Sequence, residues 1–221
     1  MAGRFVTFEG IEGSGKSTQL GLLIARLRAD GWPVREAREP GGTGLGEGIR
    51  RLLLARELGP MTAEAEVFLY LASRAELTRA VIRPALERGE VVVCDRYADS
   101  TLAYQGYGRC LELGRVRELN RVATGGLGPD LTILLDLPVD EGLARLEPRG
   151  GGPQDRIEAE DPAFHRRVRA GYLETAAAEP ARFLVLDARR AEADLAEAIW
   201  TAVSACLSGL ARSVPCPSPA S

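Results

Sequence analysis

Gly10-Ile11-Glu12-Gly13-Ser14-Gly15-Lys16-Ser17 has the spacing G-x-x-x-x-G-K-S, and the residues on either side of it decide how it is read. Phe5 to Phe8, just before it, is a short apolar run that reads as a buried strand. From Lys16 to Asp30, Leu20, Leu23, Ile24 and Leu27 recur at helical spacing and Gly31 closes the segment. A glycine-rich turn between a strand and a helix points successive N–H groups inward, and the helix N-terminus adds a favourable dipole for an anion. Residues Gly10 to Thr18 therefore read as a phosphate-binding loop. Lys16 is placed to reach the outer phosphates of a nucleotide, and Ser17 offers a hydroxyl to a Mg²⁺ ion bridging them.

The lysine stands out in the composition as well. The 28 basic residues comprise 27 arginines and Lys16 alone, so this chain uses lysine only where a compact ammonium must enter a tight loop.

Four further apolar runs follow, Val34 to Ala37, Val91 to Cys94, Leu131 to Leu135 and Phe183 to Leu186, most of them apolar on both faces. Helical stretches alternate with them. Thr62 caps one that Pro84 breaks or restarts, Asp161-Pro162 opens one to about Glu179, and the last carries Leu195, Ile199, Val203, Cys206 and Leu210 as one stripe. Buried parallel strands need long crossovers, so this alternation predicts a three-layer α/β/α fold around a five-stranded parallel sheet, of the P-loop NTPase type. A single domain over residues 1–210 is expected, with Pro/Ser-rich residues 211–221 as a flexible tail.

With 221 residues, 45% hydrophobic side chains and a net charge of -3, the chain has enough apolar surface for a core and lacks the basic excess of a general nucleic-acid binder. Cys94, Cys110, Cys206 and Cys216 form no C-x-x-C pair, which fits reduced thiols better than a zinc site. No signal core or spanning run is evident, so a cytoplasmic protein without membrane or nucleic-acid partners is expected. A guanine-reading Asn-Lys-x-Asp motif is excluded, because the one lysine is already in the loop. Asp95, closing the third strand, is placed to hold the metal; Asp136, closing the fourth, competes for that role. Arg96 can clamp a phosphate bidentately. His165, the single histidine, reads as part of a solvated helix face.

Four segments, FEGIEGSGKST, AREPGGTGLGE, LYLASRAEL and DRYADSTLAYQGYGR, together resemble bacterial thymidylate kinases in order and spacing, over the chain as far as about Ala188. The resemblance implies an enzyme that phosphorylates dTMP with ATP and Mg²⁺, acting as a homodimer; the alternative is a kinase for another nucleoside monophosphate or a deoxynucleoside. It further implies that Tyr70 stacks on thymine and Arg74 bonds the base, with Thr101 and Gln105 near its edge and Ser100 among the substrate-binding residues. Tyr104 would lie under the deoxyribose, Arg96 would grip the acceptor phosphate, and Glu12 would accept from the 3′-hydroxyl. Glu9 falls near the metal, and Arg38 or Arg50 beside the acceptor phosphate. A lid over about residues 145–158 should supply the charge-stabilising arginine, Arg149 first and Arg156 second, since position 14 is serine where some family members carry arginine.

Overall fold

The computed structural model describes residues 3–146 and 155–210. The chain runs β1 (Arg4–Glu9), α1 (Lys16–Ala29), β2 (Val34–Arg38), α2 (Gly44–Leu54), α3 (Ala63–Leu77), α4 (Arg83–Glu87) and β3 (Val91–Asp95). It continues through α5 (Ala98–Thr101), α6 (Leu113–Thr124), β4 (Leu131–Asp136), α7 (Val139–Leu146), α8 (Pro162–Ala178), β5 (Phe183–Asp187) and α9 (Glu192–Leu207). All strand pairs are parallel, in the order β2-β3-β1-β4-β5, with helices on both sides. This is the expected α/β/α architecture.

The sheet separates two apolar layers by strand alternation. On β3, Val91 and Val93 face a large cluster containing Leu23, Leu27, Phe164, Tyr172 and Ile199, while Val92 and Cys94 face a smaller one with Phe5, Leu77, Leu86 and Tyr97. Register places Phe8 beside Asp95, and Asp95 beside Arg38, so the carboxyl ends of β1, β2 and β3 open onto one crevice. In open parallel sheets such a crevice, where neighbouring connections leave on opposite faces, is where ligands bind.

Several local expectations are refined. β2 is an edge strand with Arg35 and Glu36 exposed. The long helix after Thr62 does not stop before Pro84: it passes through a π-helical turn, Thr78–Ile82, and Pro84 follows that turn as the second residue of α4. In α9 the buried stripe is Leu195, Ile199, Val203 and Leu207, with Cys206 half-buried beside it. A second π-helical segment, Leu102–Gly108, continues α5 without a break. Among the described residues no helix is long and apolar enough to cross a membrane. The tail 211–221 lies outside the described residues, as does the middle of the lid region, residues 147–154.

Candidate active site

A cavity of about 270 Å³ opens at these carboxyl ends, with the phosphate-binding loop at one end and residues of α3, α5 and the π-helical segment at the other. The loop needs its glycines. Gly10 has φ +140° and a Cβ there would lie 2.5 Å from the Leu135 carbonyl; Gly13 has φ +73° and its Cβ would lie 2.4 Å from the Gly142 carbonyl on α7. Lys16 Nζ, almost fully buried, donates to the Gly10 and Ile11 carbonyls at 3.0 and 2.8 Å. Burial first, then the neighbouring Arg96, pushes its pKa down to about 8, although Glu12, Asp95 and Glu9 pull the other way. An anion held in the loop would favour the charged ammonium.

Arg96, the residue after β3, holds the crevice together from a backbone at φ +68°. Its Nη1 donates to the Gly10 carbonyl at 3.0 Å and to Tyr172 Oη at 3.1 Å, and Nη2 to Glu12 Oε1 at 2.9 Å. Tyr104 Oη donates to the same Glu12 oxygen at 2.6 Å. Despite burial, Arg96, Lys16 and Tyr104 hold the Glu12 carboxyl below the usual carboxylate range. Beneath them Glu9, fully buried, accepts from Tyr97 N at 2.8 Å, Ser100 Oγ at 2.6 Å and Tyr172 Oη at 2.8 Å. Its burial, with Asp99 nearby, pushes its carboxyl well up.

At the far end Tyr70, Thr101 and Gln105 line the cavity. Arg74 does not reach the lining: it is buried behind it, with all five N–H groups committed. Nε and Nη2 donate to Glu39 Oε2, Nη2 also to the Tyr97 carbonyl at 3.0 Å, and Nη1 to Thr101 Oγ1 at 2.7 Å and Asn120 Oδ1 at 2.6 Å. Direct bonding to a base would require it to release Thr101 or Asn120. Arg50 lines the cavity and donates to the Pro40 carbonyl at 3.0 Å, whereas Arg38 is half-exposed and paired with Glu47 through 3.0 Å contacts.

For a divalent cation, Asp95 and Ser17 both line the cavity, and Asp95 Oδ1 is buried with no hydrogen-bond partner among the described residues. An orphaned carboxylate oxygen beside a phosphate loop is what a cation would satisfy. Asp136 is not free for this role, because Arg169 takes both its oxygens at 2.7 and 2.8 Å. Arg149 lies outside the described residues. Arg156 is tied away from the loop lysine, donating to the Leu53 carbonyl at 2.9 Å and to Glu66 Oε2 at 2.5 Å.

The expectation for His165 is overturned. It is 1% exposed, with Nδ1 3.6 Å from Glu12 Oε2 and its ring edge-on to Phe164, because α8 turns this face onto the π-helical segment. Flanking charges in Arg166 and Arg167 made the position look solvated. Sequence reading also missed Tyr172, Glu66 and Arg145, whose Nη1 donates to the Gly13 carbonyl at 3.3 Å. For Tyr172 a signal was present, since it shares an i, i+4 stripe with Phe164 and Val168; Glu66 sits among apolar residues and carried none.

A family model of thymidylate kinases matches residues 8–199. The thymidylate kinase of Deinococcus radiodurans is 57% identical over 204 residues, covering 91% of this chain and 97% of that protein. That of Desulforudis audaxviator is 51% identical over 208 residues, covering 94% and 93%, and that of Thermomicrobium roseum 54% over 200 residues, covering 90% and 94%. A phosphate loop facing an aromatic, hydrogen-bonding pocket across Arg96, and relatives of this identity along nearly the whole length, lead to one assignment: the chain belongs to the thymidylate kinase family.

Proposed function

We propose that this protein transfers the γ-phosphoryl group of ATP to the 5′-phosphate of dTMP, giving dTDP and ADP. The observation that carries the reading is one continuous cavity, which joins a phosphate loop at one end to Tyr70, Thr101, Tyr104 and Gln105 at the other, with Arg96 between them. A phosphate oxygen of dTMP attacks the γ-phosphorus in line. The new P–O bond forms as the bond to the β,γ-bridging oxygen breaks, and ADP leaves with that electron pair. Lys16 and the loop N–H groups hold the donor phosphates, and Arg96 holds the acceptor phosphate against them. Glu12, tethered by Arg96 and Tyr104, takes the sugar hydroxyl. Ser17 and Asp95 would hold Mg²⁺, which would supply charge neutralisation on the outer phosphates. Glu9 has its oxygens occupied by three donors and serves better as the anchor of Tyr97, Ser100 and Tyr172.

The same reading takes one domain over residues 1–210 with a lid near 145–158, from which Arg149 supplies the additional positive charge. A homodimer is supported by Leu45 and Leu52 on α2, Leu58 in the turn after it and Phe68 on α3, each 47–58% exposed. Unpaired Cys94, Cys110 and Cys206 support a reducing, cytoplasmic setting.

The test is a coupled ADP-release assay with ATP and Mg²⁺, comparing dTMP, dUMP, UMP, dCMP and no acceptor, with Lys16→Ala as control. Preference for dTMP supports the reading. Release indifferent to acceptor overturns it, and preference for another acceptor keeps the phosphoryl transfer while overturning the thymine pocket.

A further inference from the structure

Two ion clusters are buried at the cavity wall; of their charged residues Glu39 lines the cavity, while Arg74, Glu66, Arg109 and Arg156 lie behind the lining. One is Glu39 with Arg74; the other is Glu66, fully buried on α3, with Arg109 and Arg156. Each hands one hydrogen bond forward to a cavity-lining side chain. Arg74 Nη1 donates to Thr101 Oγ1 at 2.7 Å. Glu66 Oε1 accepts from Gln105 Nε2 at 2.8 Å and from Arg109 Nε at 3.1 Å, while Oε2 accepts from Arg109 Nη2 at 3.0 Å and from Arg156 Nη1.

The direction of these bonds is not free. A guanidinium has no acceptor, so Thr101 receives from Arg74 with one lone pair and keeps its hydroxyl proton and its second lone pair for other partners. Two arginines keep Glu66 ionised and therefore acceptor-only, holding its carboxyl below the ordinary range despite burial. Gln105 must then face Glu66 with Nε2. Among the described residues Oε1 takes no hydrogen bond, which leaves it as the unengaged polar atom of a side chain that lines the cavity.

We propose that the Glu66 cluster sets the hydrogen-bond polarity of this wall at Gln105. Glu66 makes Gln105 an acceptor, which suits a base bearing a ring N–H beside a carbonyl and rejects cytosine; the Thr101 hydroxyl, held by Arg74, can meet either base. Thymine and uracil present that carbonyl and N–H; cytosine presents an amine and a bare ring nitrogen, which would meet Gln105 Oε1 lone pair to lone pair. An unlocked glutamine could turn its amide over and accommodate either base. Glu66 is thus a positioning residue, acting through Gln105. The inference rests on the reading that the base of the acceptor nucleotide occupies this end of the cavity.

The test compares kcat and KM for dTMP and dCMP in the wild-type enzyme, Glu66→Gln and Glu66→Asp. Glu66→Gln offers its own amide N–H to Gln105 and permits the turn-over, so the dTMP-to-dCMP ratio of kcat/KM should fall by about tenfold or more, mainly through KM. Glu66→Asp stays acceptor-only and should keep the ratio near wild type even where its total activity drops. A merely structural role would lower both acceptors in parallel in both variants, and a Glu66→Gln ratio within about twofold of wild type overturns the inference. Should Glu66→Gln fail to fold, NMR of the wild-type Gln105 side-chain amide, assigned by its loss in Gln105→Met, decides the matter. Slowly exchanging Nε2 protons support the lock, and exchange at the rate of an exposed glutamine refutes it. Wild-type enzyme inactive on dTMP would instead bring down the functional reading itself, so the two failures are distinguishable.

Discussion

Arg96 Nη2 donates to Glu12 Oε1 at 2.9 Å, across the crevice between the end of β3 and the phosphate loop, from a backbone in the left-handed region. That conformation costs an L-residue about 1 kcal/mol and is retained here by the four partners its guanidinium meets. Arg96→Ala should lower kcat roughly 100- to 1,000-fold, the loss expected for a charge-stabilising donor. Arg96→Gly should be equally inactive yet unfold at higher denaturant than Arg96→Ala, by about 1 kcal/mol, because glycine relieves the backbone. Equal stability of the two variants would mean that the turn holds no strain.

Lys16 is kept in the loop at a cost to stability. Its folded pKa of about 8 lies below its ordinary 10.5, so between these values the unfolded chain binds the extra proton and stability rises with pH. Lys16→Met, inactive, should therefore melt higher than wild type near pH 7, and the gain should shrink as pH approaches about 10. Thermal unfolding at both pH values checks this; a gain that grows with pH contradicts it.

Glu39 and Arg74 form a pair in which each group is almost fully buried. Arg74→Met strands the Glu39 carboxylate and should cost about 3–5 kcal/mol, whereas adding Glu39→Gln should recover part of that loss. Denaturant unfolding of the two single variants and the double variant measures the coupling. Strict additivity would show that the pair is not a unit.

α8 approaches the π-helical segment through glycine: a Cβ on Gly171 would lie 2.5 Å from the Tyr107 ring at Cγ, too near the backbone for the ring to swing aside. Gly171→Ala should push the segment that carries Tyr104 and Gln105 and raise KM for dTMP several-fold, with a loss of stability of about 1–3 kcal/mol. An unchanged KM would mean that the strain is absorbed by α8.

Legibility followed the range of the interaction. The phosphate loop, the five strands and the caps at Thr62 and Asp161 were readable because each depends on neighbours a few residues apart. Helices α2, α6 and α7 went unread, α2 because its opening Gly44-Leu45-Gly46 hides a helix that Thr43 Oγ1 caps from Gly46 N at 3.0 Å. Tyr70, Thr101, Tyr104 and Gln105 do line one cavity, while Arg74, Arg38 and Arg156 are engaged elsewhere and His165 is buried.

By itself, then, the sequence determined the chemistry at the loop and the order of the layers, since a glycine spacing and an apolar period are local properties that hold whatever surrounds them. Tertiary structure alone decided which arginines meet ligand and which meet protein. Twenty-seven arginines look alike in a string, and a guanidinium's role depends on the carboxylate that folding brings within 3 Å of it, as Glu39 is brought to Arg74 across 35 residues and Glu12 to Arg96 across 84.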